Sequence, residues 1–178
     1  MNLVVIPFHD WKKCEREGFR TRDAHLMQEF SKHPFVDNLL IINRPISLSE
    51  IILFRRNWRI KKGKLLAKKN GIYLSQVAPK TFTLDIIIPE IIRPIMMRRN
   101  WVPYIFNHSK VVKAVSFALD YLNMEHNYAL FMSAPLFVPL IKNISPKVWG
   151  MDAQDNLLKH AIISQCKKIT ALLSILSR

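Results

Sequence analysis

The sequence predicts an α/β fold, a Rossmann-like three-layer sandwich around a mainly parallel sheet. Two short runs of aliphatic and β-branched residues, 2–8 and 38–43, are typical of strands buried on both faces. An amphipathic stretch beginning at Asp23 separates them, and strand, helix, strand is the repeating unit of a doubly wound sheet. The chain has 178 residues, the length of one ordinary domain with a sizeable core.

Two helices are predicted from a capping residue followed by an apolar face. Asp23 and Ser109 can each accept a hydrogen bond from a free amide of the first turn. The helix after Asp23 is expected to run over 24–33, and its inner face carries Ala24, Leu26, Met27 and Phe30. The helix after Ser109 is expected to run over 110–124, and its inner face carries Val112, Val115, Leu119 and Leu122.

The remaining elements follow from shorter patterns. In the middle of the chain we expect a helix that opens near Ser47, two strands at 72–77 and 82–88 that can form a hairpin, and a helix over 90–99 interrupted at Pro94. In the second half we expect a strand at 128–132, a helix over 136–144, a strand at 147–151 and a helical tail from 157.

The charge balance indicates an anionic partner. Lys plus Arg is 27 and Asp plus Glu is 13, so the formal net charge is +14. Nucleic acid, a phosphorylated substrate and an anionic membrane all fit such a charge. Residues 51–84 contain nine basic side chains and no acidic one. The candidate anion-binding patch is Arg55, Arg56, Arg59, Lys61 and Lys62. We favour a membrane-facing or solvated patch over nucleic acid, because the buried strands around it are typical of an enzyme scaffold.

Several classes of site are not indicated. Cys14 and Cys166 are too far apart in sequence for a paired zinc-ligand motif and too few for a disulfide scaffold, so reduced thiols and a cytoplasmic location are expected. No nucleotide-binding glycine motif, metalloprotease motif or serine elbow occurs, and we expect no metal and no cofactor. The most apolar long stretch, 83–97, is broken by charges and prolines, so no membrane span is expected.

Two polar segments follow predicted strands and are the candidate site. In an open α/β sheet, ligands bind beyond the carboxyl ends of the strands. After the first strand, Gly18 permits a close backbone approach, and Arg20 and Arg22 can hold a phosphate or carboxylate at the start of a helix. His25 is a candidate base or substrate contact. A solvated loop with surface arginines and a solvent-facing or packed histidine are the structural alternatives.

The second polar segment follows the strand at 147–151. Asp152 is the candidate acid or base, because it comes directly after a buried strand. Asp155 is a candidate substrate contact, and its alternative role is to cap the next helix. Two aspartates at this spacing are a weak metal signal.

Three segments resemble bacterial GT-B-type glycosyltransferases of the broad group one/four, including teichuronic-acid-biosynthesis-like members. They are VVIPFHDWKKCEREGFRTRDAHL at 4–26, LLIINRP at 39–45 and PLFVPLIKNISPKVWGMDAQDNLLKH at 135–160. The resemblance covers most of residues 1–160 and implies the N-terminal, acceptor-side domain of a two-domain enzyme. The tail, 161–178, departs from the family pattern, and the nucleotide-sugar domain is missing. Two explanations of this departure stay open: the chain is a truncated product, or the donor half of the enzyme is a separate chain.

The resemblance implies transfer of a sugar from a nucleotide-sugar donor to a cell-surface polysaccharide or lipid-linked acceptor. Residues 18–25 would line the cleft, Asp152 and Asp155 would lie at its edge, and Arg20 or Arg22 would stabilise the leaving diphosphate. The implied location is the cytoplasm, including the inner face of the plasma membrane. Two alternatives stay open: a non-catalytic basic module that docks on anionic membrane or nucleic acid, and an inactive truncated remnant.

Overall fold

The protein is described by a computed structural model over residues 1–54, 62–97 and 100–152. Within these residues eight strands form one mixed sheet. They are β1 (Asn2–Ile6), β2 (Asn38–Ile42), β3 (Ile46–Ser47), β4 (Lys64–Lys69), β5 (Ile72–Ala78), β6 (Thr81–Ile88), β7 (Tyr128–Met132) and β8 (Val148–Met151). The strand order is β4-β5-β6-β2-β1-β7-β8, and β3 pairs with the end of β6.

The centre of the sheet is parallel, and one edge is antiparallel. Strands β6, β2, β1, β7 and β8 all run in the same direction, so their carboxyl ends lie at one edge, here called the carboxyl edge. Strands β4 and β5 continue the sheet as antiparallel hairpins beyond β6. The predicted α/β class with a mainly parallel sheet is therefore confirmed, and the arrangement is compatible with a Rossmann-like fold.

The helices of the described residues connect these strands. They are α1 (Trp11–Arg16), α2 (Arg22–Lys32), α3 (Leu48–Phe54), α4 (Ile92–Met97), α5 (Trp101–Phe106), α6 (Ser109–Tyr121) and α7 (Val138–Ile144), with a short 3₁₀ turn over Pro135–Phe137. Within the described ranges, no helix is long and apolar enough to cross a membrane.

Alternating side chains of the central strands form two cores. Val4 and Ile6 of β1 lie on one face of the sheet, in a core that includes side chains of α5, α6 and α7. Leu3 and Val5 lie on the other face with side chains of α1 and α2. Burial on both faces explains why β1 and β2 are nearly uninterrupted apolar runs.

The caps of two helices differ from the prediction. The N-cap of α2 is Thr21, whose hydroxyl accepts from the amide of Ala24 at 3.3 Å, so Asp23 lies inside the first turn. The N-cap of α6 is His108, whose Nδ1 accepts from the amide of Lys110 at 3.1 Å, and Ser109 is the first helical residue. In both cases the predicted cap is displaced because a neighbouring side chain reaches the free amide first.

The inner faces of the same helices are also shifted. In α2, Ala24 and Met27 are buried, whereas Leu26 and Phe30 are only half-buried. In α6 the buried residues are Val111, Ala114, Val115, Ala118 and Leu119, while the predicted Val112 and Leu122 pack at its border. Ala114 and Ala118 are fully buried, so the inner face of α6 includes its small residues and differs from a face defined by its largest ones.

Four elements were not predicted: α1, β3, β4 and α5. Strand β4 lies in the basic stretch, and most of its side chains are exposed, so it lacks the buried alternation of a half-buried strand. Helix α5 is a single short segment that contains Pro103. The predicted helical tail and the proposed domain boundary at 160 fall outside the described residues.

A prediction concerns Tyr128, at the start of β7. Its buried hydroxyl donates to the carbonyl oxygen of Ile144, and burial raises its pKa from 10.0 to about 12. Because the folded-state pKa is the higher one, the stabilisation is complete below pH 10 and is lost as the pH rises towards 12. Tyr128→Phe should lower the free energy of unfolding by about 1 kcal/mol at neutral pH and flatten its decline in alkali.

Urea unfolding followed between neutral pH and strong alkali checks this expectation. Tyr121→Phe, at an exposed tyrosine near the end of α6, is the matched control. Equal alkaline slopes for the wild type and Tyr128→Phe would contradict the assigned role of the buried hydroxyl.

Candidate functional site

A histidine and an aspartate meet at the carboxyl end of β1. The loop after β1 places His9 beside the first turn of α2, where Asp23 is buried. Oδ2 of Asp23 accepts from the backbone amide of His9 at 2.8 Å and lies 3.1 Å from its Nδ1. The histidine side chain is 30 % exposed and the aspartate 10 %. An ionised carboxylate only accepts, so the proton of the neutral imidazole lies on Nδ1 and Nε2 carries a lone pair.

The neighbouring turn fixes the position of this pair. The thiol of Cys14 in α1 donates to the carbonyl oxygen of His9 at 3.3 Å and lies 3.4 Å from the hydroxyl of Thr21. Burial raises the pKa of this thiol, which keeps it protonated as a donor. The ring of Phe8 contacts the imidazole edge-on, with ring centroids 5.1 Å apart. His9 is therefore held from its backbone, its ring face and its Nδ1.

Gly18 has a conformational role in the same turn. Its φ is +69°, in the left-handed region that favours glycine. A Cβ there would meet only the Arg20 side chain, at 3.9 Å, so the backbone does not approach another part of the chain closely. The next residue, Phe19, also has a positive φ and packs on Trp11 with ring centroids 5.0 Å apart. The turn thus links α1 tightly to α2.

Arg22 and Asp152 lie in contact at the carboxyl edge. The guanidinium Nη2 of Arg22 is 3.1 Å from both carboxylate oxygens of Asp152. The backbone amide of Asp152 donates to the carbonyl oxygen of Met132 at 2.9 Å, so β7 fixes the end of β8. The two predicted polar segments therefore meet on one side of the sheet, as the parallel strands require.

A buried polar network lies beneath the loop after β1. Asn43, at the end of β2, accepts from the amide of Trp11 at 2.9 Å and donates to Oδ1 of Asp85 at 2.8 Å. The ammonium of Lys12 is 3.3 Å from the same oxygen of Asp85 and 3.7 Å from Oδ2 of Asp10. Asp10 also caps α1 through the amide of Lys13. This network joins the loop after β1 to β2 and β6.

The other predicted site residues have distinct positions. Arg20 and His25 are exposed, and both are within three residues of Asp23 in the sequence. Lys62 is also exposed, and its ammonium lies 3.9 Å from the carboxylate of Glu15. Asp155, Arg55, Arg56, Arg59 and Lys61 lie outside the described residues. Within the described ranges, no group of three His, Cys, Asp or Glu side chains could hold a metal ion.

Sequence reasoning missed the residues with the best-defined geometry. From the sequence alone, His9 has no predicted role and Asp23 has only that of a helix cap. A histidine directly after the first buried strand, followed by an aspartate in the next helix turn, was an available signal. Asp85 inside an apolar strand was a second signal, because a lone buried carboxylate requires a partner.

Comparisons with models of known protein families, with curated proteins and with solved structures give no match to this chain. The resemblance to glycosyltransferases therefore stays a prediction. The fold supports the coarser statement that the chain has an α/β architecture compatible with a Rossmann-like arrangement.

The buried network yields a prediction about stability. Asp85→Asn keeps an acceptor for Asn43 but removes the nearer of the two carboxylates beside the Lys12 ammonium, whose side chain is 9 % exposed, and leaves only Asp10, at 3.7 Å. We expect a loss of about 3 kcal/mol in the free energy of unfolding. Lys12→Met should also destabilise the fold, and the double variant should lose less than the sum of the two single variants.

Chemical denaturation of the four proteins in this cycle gives the coupling energy. Glu29 and Lys32 form an exposed pair with the same 3.3 Å distance, and the matching cycle Glu29→Gln and Lys32→Met should give a coupling below about 0.5 kcal/mol. Equal coupling energies in the two cycles would refute the importance of burial at Asp85.

Proposed function

We propose that this chain is the acceptor-side domain of a GT-B-type glycosyltransferase. Together with a C-terminal donor domain, it would transfer a sugar from a nucleotide-sugar donor to a cell-surface polysaccharide or lipid-linked acceptor. The observation that carries the proposal is the His9 and Asp23 pair at the carboxyl edge of a parallel sheet. The resemblance of residues 4–26, 39–45 and 135–160 supplies the substrate class.

The geometry supports His9 as the general base. Asp23 accepts the Nδ1 proton, which leaves the Nε2 lone pair to accept a proton from an acceptor hydroxyl. The carboxylate also stabilises the imidazolium that results. Neither His25, exposed on the outer side of α2, nor Asp152, paired with Arg22, has this arrangement in the described part of the chain. We therefore assign to His9 the role of base that the sequence analysis predicts for His25.

The proposed reaction proceeds by a single displacement at the anomeric carbon. The acceptor oxygen loses its proton to Nε2 of His9 and forms a bond to the anomeric carbon of the donor sugar. The bond between that carbon and the diphosphate oxygen breaks, and the diphosphate leaves with the electron pair. Attack from the face opposite the leaving group inverts the anomeric configuration.

The arginines at the start of α2 suit the leaving group. Arg20 is exposed and lies two residues before the first residue of the helix, Arg22, which is oriented by Asp152. Both guanidinium groups lie near the start of an eleven-residue helix, whose free amides also favour an anion. In this proposal Asp152 is a positioning residue that holds Arg22, and the nucleotide sugar is a co-substrate without a further cofactor.

The proposal predicts the tautomer of His9 as well as the activity. Nitrogen NMR of the imidazole should show the neutral ring protonated on Nδ1, and Asp23→Asn should abolish this preference because the amide can donate to Nδ1. In the presence of a complementing donor half, His9→Gln should reduce sugar transfer from UDP- or GDP-linked hexoses to lipid-linked acceptors by at least about hundredfold. Product NMR should show inversion.

Two further histidine variants serve as controls. His25→Gln tests the first assignment, and His126→Gln removes a side chain that is fully surface-exposed and far from β1 in sequence. Both should leave transfer within a factor of about two of the wild type, since neither changes the His9 base. If the chain binds neither these donors nor these acceptors and transfers no sugar, the proposal is wrong.

A further inference from the structure

Two short helices present an unusual apolar surface to solvent. Its members, here called the isoleucine face, are between 51 and 76 % exposed: Ile52, Leu53, Ile91, Ile92, Ile95 and Met96. Helices α3 and α4 pack against each other, so the residues of both helices belong to one region. Scattered exposed aliphatic residues are ordinary, but a contiguous group of this kind marks an interaction surface.

Helix α4 contacts neighbouring parts of the fold through Arg93 and Met97. Arg93 donates to the hydroxyl of Tyr104 at 2.6 Å and to Glu90 at 3.4 Å. Nε2 of His108 lies 3.8 Å from the same carboxylate, and Met97 packs against the main core. Helix α4 therefore contacts α5 through Arg93, and Glu90, two residues before the helix, lies beside the N-cap of α6.

Helix α3 also makes polar contacts through its first turn. The buried carboxylate of Glu50 accepts from Arg44 at 2.6 Å and from the amide of Ser47 at 3.1 Å. The Ser47 hydroxyl lies 3.0 Å from that of Ser49. Because the polar residues of this short helix point inward, Ile52 and Leu53 remain on the outside.

Basic residues border the isoleucine face in the sequence. Helix α3 is followed directly by Arg55 and Arg56, and α4 is followed directly by Arg98 and Arg99. No acidic residue occurs between 51 and 84, and the whole chain carries a net charge of +14. Aliphatic side chains flanked by arginines match the boundary between acyl chains and anionic headgroups. Nucleic acid would instead favour aromatic stacking surfaces.

We propose that the isoleucine face docks the protein on an anionic lipid bilayer, to which the net positive charge of the chain attracts it. The aliphatic side chains of α3 and α4 enter the upper acyl region, and neither helix spans the membrane. This inference does not rest on the proposed transferase activity.

Vesicle co-sedimentation of the full chain tests the proposal. The probes are phosphatidylcholine vesicles with and without an equal share of phosphatidylglycerol, at low and high salt. We expect binding to the anionic vesicles that weakens with salt. The triple variant Ile92→Ser, Ile95→Ser and Met96→Ser should bind at least about tenfold more weakly. A variant with all four flanking arginines changed to Gln should lose the preference for phosphatidylglycerol.

Controls separate docking from general stickiness and from unfolding. The double variant Phe35→Ser and Val148→Ser removes two other exposed apolar side chains, 74 and 59 % exposed, and should bind like the wild type. Thermal unfolding of each variant verifies that its fold is intact. As a second measurement, Ile95→Cys in a Cys166→Ser background takes an environment-sensitive fluorophore, since the remaining Cys14 is buried. Anionic vesicles should shift its emission to the blue.

Three results would overturn the proposal. The first is wild-type binding that the triple variant retains in full. The second is a concentration-dependent dimer, measured by sedimentation velocity, that the triple variant abolishes, because the face would then cover a second copy. The third is binding to oligonucleotides but not to vesicles.

Discussion

The position of the candidate site depends on a carboxylate buried inside a strand. Asp85 is fully buried in β6, where an unpaired charge would be very costly. Asn43 and Lys12 satisfy it, and through them it holds the loop that follows β1. The same asparagine accepts from the amide of Trp11, two residues beyond His9. The central strands therefore determine where this histidine lies, although they contribute no side chain to its contact with Asp23.

The central strands and the hairpin could be predicted from the sequence, because each residue pattern there has a single physical explanation. Positions 3–6 and 39–42, within the predicted runs 2–8 and 38–43, are all apolar because both faces of a central parallel strand are covered. The predicted hairpin of β5 and β6 is confirmed, since the two strands pair antiparallel. Because the central strands are parallel, their carboxyl ends were expected to lie at one edge of the sheet. The close approach of Arg22 to Asp152, 130 residues apart, agrees with that reasoning.

The N-cap of α2 and strand β4 could not be predicted from the local sequence, because contacts with distant residues determine both. Asp23 and Thr21 are both good capping residues, and their roles are decided by His9, which is fourteen residues distant from Asp23 and contacts it only in the folded chain. Strand β4 was missed because its backbone is paired with β5 while most of its side chains remain in water. In such a strand, backbone hydrogen bonds rather than burial determine the structure.

The two proposals concern neighbouring parts of one edge. Helix α3 follows β3, which pairs with the last residues of β6, and α4 follows β6 itself, so both begin at the carboxyl edge where His9 lies. A bilayer against the isoleucine face would therefore lie beside this edge, on the β6 side of the sheet. If both proposals hold, a lipid-linked acceptor would come from the bilayer side of this edge and a nucleotide sugar from the aqueous side. Docking and transfer remain separable, because Ile92, Ile95 and Met96 make no contact with Asp23 or His9 among the described interactions.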